Sequence, residues 1–208
     1  MMQIKQMSLG PLGTNCYILY NQKEAVIIDP GGNANQVTSF LKEEGLTPQA
    51  ILLTHAHFDH IGAVDELRSY FNIDVHLHEN EADWLTDPNL NGSHRFVGAE
   101  ISTNRPEHFL TPGIMEFASL KFEIKHTPGH SPGSVSFIFH NEQKIFSGDV
   151  LFQQGIGRTD LIGGSLEQLE KSIKNQLYTL EDSYTVYPGH GLETSIGSEK
   201  RNNPFVSA

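Results

Sequence analysis

Cysteine is nearly absent from the 208-residue chain: Cys16 stands alone, so no intrachain disulfide can form and a reducing compartment is the simplest setting. Positive charge is scarce. Fourteen Lys and Arg face 25 Asp and Glu, for a formal net charge of −11. A chain this acidic, with no basic run and no interleaved Arg/aromatic stripe, repels phosphate backbones, which excludes nucleic acid as an expected partner. Long apolar runs are missing as well. No stretch approaches the ~18 residues of a membrane span, and the N-terminal MMQIKQMSLGPLG has neither a continuous apolar core nor a small-residue cleavage site. The expectation is a soluble, cytoplasmic protein with no membrane contact. Linkers and low-complexity segments are also lacking, so a single domain over 1–208 is expected, long enough to bury a substantial core. Nothing in the sequence reports the oligomeric state.

Strands and helices alternate along the chain. Residues 15–20 and 25–32 read as apolar strands, the second ending in an Asp-Pro-Gly-Gly turn. Asn33 is expected to cap a helix that carries Val37, Phe40 and Leu41 on one face and stops at Gly45. A short buried strand at 50–54, a helix at 63–71 and a strand at 73–78 follow. Residues 87–113, with Pro88, Pro106 and Pro112, read as a long loop that could cover a site. Strands are expected near 114–117, 120–125, 134–140, 143–147 and 184–188. A helix is expected over 165–180, where Ser165 and Gln168 form a capping-box pattern. A faint echo, strand then Thr/His-rich loop at 50–62 and again at 120–134, indicates two similar halves.

What the chain has in quantity is histidine, 11 residues, and "THAHFDHIG" (54–62) crowds three of them with an aspartate: His55, His57, Asp59 and His60. Neutral imidazole and carboxylate are good ligands for zinc, iron or manganese. On an extended loop His55 and His57 project to one side, and Asp59 with His60 falls within reach of a second position. Such a site needs further donors. His130 in "HTPGHSPGS", Asp149 in "IFSGDVLF" and His190 in "VYPGHGLE" supply them, each beside a glycine where a strand ends. His76 and His78 share a strand face without further donors and read as structural. His94, His108, His126 and His140 have no motif context, and Trp84 in "ENEADWLT" reads as helix packing. Asp29 is expected either to orient the histidine loop by hydrogen bonds or to serve as a turn carboxylate.

H-x-H-x-D-H, then Gly-His, Gly-Asp and Gly-His in order, resembles the metallo-β-lactamase superfamily over nearly the whole chain. The resemblance implies an αββα sandwich of two pseudo-symmetric halves with the site at one edge of the sheets. It implies two divalent cations, zinc first, with iron or manganese as alternatives. His55, His57 and His130 would hold one, Asp59, His60 and His190 the other, and Asp149 would bridge. "GIGRTDLIGGS" (155–165) and "TSIGSEKRNNPF" (194–205) look like the small glyoxalase II-like (hydroxyacylglutathione hydrolase-like) branch. That implies hydrolysis of a small-molecule hydroxyacyl thioester by a metal-bridging hydroxide, with Asp59 orienting the nucleophile. The chain ends soon after His190, so the extra helical domain of the family's larger members is expected to be absent, and the thiol need not be glutathione. Arg158 is expected either to contact a substrate carboxylate or to pair with Asp160. The alternatives are a mononuclear-iron persulfide dioxygenase, which resembles the chain in the Gly-Arg-Thr-Asp segment, or a hydrolase of another ester or amide.

Overall fold

The computed structural model describes residues 2–117 and 119–208, and the chain divides into two compact units. The first comprises the residues up to Leu110 with Glu116–Lys121, and the second Thr111–Met115 with Phe122–Ala208.

The first unit is a six-stranded sheet in chain order: β1 (Gln3–Leu9), β2 (Thr14–Asn21), β3 (Glu24–Ile28), β4 (Thr47–Leu52), β5 (Asp74–His78) and β6 (His108–Leu110). The first three strands are antiparallel hairpins, and β3 through β6 run parallel. Parallel neighbours need crossovers, and here helices α1 (Ala34–Glu43) and α3 (Val64–Phe71) provide them. α1 buries Val37 and Leu41 and α3 buries Val64 and Leu67, the stripe that helical spacing requires, in one core with Ile18, Ile27, Ile51 and Val75. The parallel strands are apolar on both faces, which is why "AVII" and "AILL" are continuous runs.

Register positions the candidate site. Ile28 pairs with Leu52, so β3 and β4 end at the same edge. Asp29 and Thr54 therefore leave the sheet as neighbours. The chain then runs on to His57, which is extended, and turns into the single-turn helix α2 (Phe58–Ile61), which carries Asp59 and His60.

The second sheet includes β7 (Gly113–Phe117), β8 (Leu120–His126), β9 (Val135–Phe139) and β10 (Lys144–Gly148). A two-stranded ribbon follows, β11 (Leu151–Phe152) with β12 (Gly155–Ile156), then helix α5 (Leu166–Ser172). β13 (Thr185–Pro188), β14 (Thr194–Ser195) and α6 (Ile196–Asn202) complete the chain, and the sheet order is β14-β13-β10-β9-β8-β7. The register logic of the first sheet recurs here. β10 and β13 are parallel, with Gly148 opposite Pro188, and the Gly189 amide donates to the Gly148 carbonyl at 2.8 Å. Asp149 and His190 thus leave the sheet side by side. Ile138, Ile145, Val150, Leu169, Ile173, Leu177 and Val186 form the core of this unit.

Several sequence expectations need correction. Asn33 stands at the start of α1 in the left-handed region (φ 51°), and its side chain does not cap the helix. It accepts instead from the Gly10 amide at 2.8 Å, tying α1 to the first hairpin. Residues 87–113 are not one loop. They contain the short helix α4 (Ser93–Phe96) and end in β6, whose three residues carry too little periodicity to be read without their partner. The Asp65 carboxylate pins the segment by accepting from the Thr103 hydroxyl at 2.6 Å and the Asn104 amide at 3.0 Å. The 165–180 helix is α-helical only to Ser172 and then widens into a π-turn, Ile173–Leu177. The Ser165 hydroxyl accepts from the Gln168 amide at 3.3 Å, one half of the expected capping box. β1 is not among the strands expected from sequence, because polar residues outnumber its apolar ones, Ile4, Met7 and Leu9.

Cys16 is fully buried in β2, and burial, with the nearby negative charge of Asp29, pushes its thiol pKa up. Among the described residues no helix is long and apolar enough to cross a membrane.

Candidate metal centre

In the first unit the loop after β4 brings His55, His57, Asp59 and His60 together, all buried. The rings of His55 and His60 lie 4.1 Å apart between centroids, and those of His55 and His57 4.8 Å. Asp29, buried and itself left-handed (φ 49°), organises the loop. Its Oδ1 accepts from the Thr54 amide at 2.8 Å, and its Oδ2 accepts from the Thr54 hydroxyl at 2.6 Å and His60 Nδ1 at 3.0 Å.

These bonds assign protons. A neutral imidazole carries one N–H, and a carboxylate only accepts. His60 therefore carries its proton on Nδ1 and presents Nε2 as the lone-pair nitrogen. The Thr54 hydroxyl spends its proton on Asp29, so it accepts from His55 Nδ1 at 3.1 Å, and His55 also presents Nε2. Ligand atoms of Asp29, His55 and His60 lie within 4.8 Å of one another. Asp29 is nonetheless the orienting group of the three, since its oxygens are committed to Thr54 and His60.

Asp59 is held from another strand: the Thr14 hydroxyl at the start of β2 donates to its Oδ2 at 2.9 Å. Gly31 packs so tightly on the Asp59 carbonyl that a Cβ there would sit 1.9 Å from the oxygen. Fully buried Glu81 accepts from the Ala56 amide, between His55 and His57, at 2.6 Å. Thr14 and Glu81 escaped the sequence reading, because neither lies in a donor motif and their role exists only through pairing distant in sequence. Trp84 packs in the core with its ring 5.7 Å from that of His57.

In the second unit Asp149 Oδ2 lies 3.7 Å from His130 Nε2 and 3.6 Å from His190 Nε2. His130 Nδ1 donates to the Arg158 carbonyl at 2.8 Å, so it too presents Nε2. Arg158 thus serves this site through its backbone. Its guanidinium forms a bidentate pair with Asp160, both bonds 2.8 Å, on the exposed surface. Gly157 mirrors Gly31: a Cβ there would sit 1.8 Å from the Asp149 carbonyl oxygen and 3.1 Å from His130 Cβ.

The remaining histidines have other partners. His78 Nδ1 accepts from the Asn80 amide at 3.3 Å, and His108, His126 and His140 bond to Asp74, the Pro132 carbonyl, and Tyr184 with Glu123. His76 stacks on His108 at 4.6 Å and meets the edge of Phe117 at 4.8 Å. Burial, then the neighbouring His108 charge, lowers its pKa to about 4, against a smaller opposing pull from Asp74 and Glu107. His76 stays neutral in the fold, while in the unfolded chain it titrates near ~6.5. Stability is therefore lost as pH falls from about 6.5 toward 4, by on the order of 2 kcal/mol, and does not change further below that. Denaturant unfolding at pH 7 and 4.5 checks this: His76→Phe is expected to flatten the acid slope, and parallel slopes for the two proteins would contradict it.

The donor set suits a divalent transition metal. The Nδ1 atoms of His55, His60 and His130 meet fixed acceptors, which leaves Nε2 of each as the ligand nitrogen, and carboxylates join them, the chemistry that zinc, iron and manganese accept.

Comparison with known proteins agrees. The family profile of the metallo-beta-lactamase superfamily matches residues 9–190. A probable metallo-hydrolase of Bacillus subtilis, YqgX, is 47% identical over 99% of this chain and 98% of its own. Hydroxyacylglutathione hydrolase GloC of Haemophilus influenzae is 37% identical over 100% and 99%. The crystal structure of BLEG-1 B3 metallo-beta-lactamase superposes with a TM-score of 0.96 at 54% identity, covering 99% of this chain and 100% of that one. That of TTHA1623 in a di-iron-bound form gives 0.88 at 38%, covering 97% and 100%. The two sheets, the donor loops at their parallel-strand edges and these likenesses lead to one conclusion: the chain belongs to the metallo-beta-lactamase superfamily, as a metal-dependent hydrolase.

Proposed function

We propose that the chain hydrolyses hydroxyacyl thioesters of a low-molecular-weight thiol in the cytoplasm, with two divalent cations, zinc first, as cofactors. His55, His57 and His130 would hold one cation and Asp59, His60 and His190 the other, with Asp149 shared. The observation that supports the substrate class is the end-to-end likeness to GloC, 37% identical over 100% of this chain and 99% of its own. Cations in such a site supply a water that deprotonates near neutral pH and positive charge for a developing oxyanion.

The protein's own groups do the rest. Asp59, its carboxylate rotation fixed by the Thr14 hydroxyl, orients the attacking water and takes up its proton. Asp29 keeps His55 and His60 in the metal-binding tautomer through Thr54 and directly. The leaving thiol has a pKa of ~8.5, so it departs as thiolate with little help from an acid. An amide nitrogen needs a proton at that step. The Arg158–Asp160 pair lies exposed, and Arg158 can serve an acidic substrate group only by exchanging that partner.

A second reading, β-lactam hydrolysis, is favoured by the likeness to BLEG-1. Parallel assays separate the possibilities: S-lactoylated thiols, a cephalosporin, and oxygen uptake with a persulfide. Thioester turnover at least 100-fold faster than the others is expected. Asp59→Asn is expected to lower kcat by 10²–10⁴-fold with little change in KM. Dominant cephalosporin turnover would favour the second reading, and oxygen uptake by a protein holding one iron would contradict both.

A further inference from the structure

The tail motif "SEKRNNPF" has no place in the chemistry above, yet it contains a fully buried carboxylate, Glu199 on α6. Glu199 Oε2 accepts from the Gln154 amide and from Asn203 Nδ2, each at 2.9 Å, and Oε1 accepts from the Thr194 hydroxyl at 2.5 Å. Asn203 Nδ2 also donates to the Gly155 carbonyl at 3.1 Å. The turn of the β11–β12 ribbon is thereby held from both sides, at a residue, Gln154, forced into the left-handed region (φ 53°).

The tethered segments lead directly to the three donors of this unit. One leg of the ribbon begins just after Asp149. The other runs into Gly157, packed on the Asp149 carbonyl, and Arg158, whose carbonyl holds His130. Thr194 ends the short loop that starts at His190. Phe152 of the ribbon meets the His190 ring edge-on, 6.4 Å between centroids.

We propose that Glu199, with Asn203, is a positioning residue for the metal centre: one buried carboxylate fixes the backbone segments that carry Asp149, His190 and the Arg158 carbonyl that holds His130. This rests on those three residues being metal donors. It assigns the tail a role in metal affinity rather than in substrate contact. Supporting groups of this kind typically change affinity by 10–100-fold when removed.

Zinc affinity, read by competition with a chromophoric chelator, and thermal unfolding of the metal-free protein test it. Glu199→Ala is expected to weaken zinc binding at least tenfold. Glu199→Gln keeps an acceptor for both N–H donors while the Thr194 hydroxyl rotates to accept, and is expected to stay within threefold of wild type. Tyr178→Phe removes only a hydroxyl, whose bond to the Val206 carbonyl (3.2 Å) anchors the tail at a point away from the ribbon's hydrogen bonds. It is expected to lower thermal stability and leave zinc affinity unchanged. If Glu199→Ala does not fold, Thr194→Val reads the same clamp, with a loss of at least threefold expected. Wild-type zinc affinity in Glu199→Ala or Thr194→Val, or an equal loss in Tyr178→Phe, would overturn the proposal. The readout does not depend on which bond the enzyme cleaves. Absent thioester turnover with this pattern intact would count against the substrate alone. A wild-type protein that binds no divalent metal would overturn the donor assignment and the clamp together.

Discussion

Asp29→Asn is expected to cost at least tenfold in metal affinity while leaving the fold standing. The change preserves size, and asparagine tolerates the left-handed backbone that Asp29 adopts. It also keeps one carbonyl oxygen for the Thr54 amide. What it removes is the second acceptor. An NH₂ would then face the Thr54 hydroxyl and His60 Nδ1, where the aspartate accepts from both. Two donors cannot bond, so the hydroxyl turns and the imidazole shifts its proton to Nε2. That withdraws the lone pair a metal needs at His60, and at His55 through Thr54. Asp29→Ala removes all three acceptor bonds at once. It leaves buried donors unsatisfied and is expected to lose about 2–4 kcal/mol of stability besides the metal. Isothermal titration with zinc and denaturant unfolding separate the two effects. Asparagine and wild-type proteins of equal zinc affinity would show that tautomer control at Asp29 is not what sustains the site.

Gly157→Ala is expected to abolish most activity for a purely steric reason. The added Cβ would lie 1.8 Å from the Asp149 carbonyl oxygen and 3.0 Å from its carbon, both backbone atoms with no side-chain freedom to yield. His130 Cβ, at 3.1 Å, closes the other side. The chain can accept the methyl only by moving the segment that carries Asp149 or the one that buttresses His130. Displacements near 1 Å at a reacting centre cost about 10²-fold in rate, so a loss of at least that size in kcat/KM is expected. Gly45→Ala is the informative control. It places a side chain at φ +64° with nothing within 4 Å, so it strains one residue by about 1 kcal/mol and touches no donor. Its activity is expected to stay at wild type. Unaltered turnover in Gly157→Ala would mean that the contact relaxes without moving the donors.

The parts of this protein that could be read from sequence are those whose information is local. β2, β3 and the face of α1 follow from apolar periodicity, and the donor-bearing bends after β4, β10 and β13 follow from glycine, proline and aspartate at strand ends. The parts that could not be read depend on pairing across the chain. β1 is a strand because it pairs with β2, residue for residue from Gln3 to Leu9. β6 is a strand because His108 falls opposite His76. The same holds at the site. The donors stand in punctuated motifs, whereas Thr14 and Glu81 act through bonds to residues far away in sequence, and nothing in their neighbours marks them. Thr54 and Arg158 lay within quoted motifs, yet their work is done by a hydroxyl relay and a backbone carbonyl, which residue type alone does not reveal. The π-turn after Ser172 interrupts a stripe that sequence periodicity would have continued.

The proposed activity is two-cation thioester hydrolysis, and reconstitution tests it most directly. The purified protein is stripped with a chelator, titrated with zinc, and followed by hydrolysis of an S-lactoylated thiol at each step. The account predicts no turnover in the stripped protein and activity that rises to a plateau at two zinc ions per chain. A plateau at one ion, or a fully loaded protein that leaves the thioester intact, would contradict it.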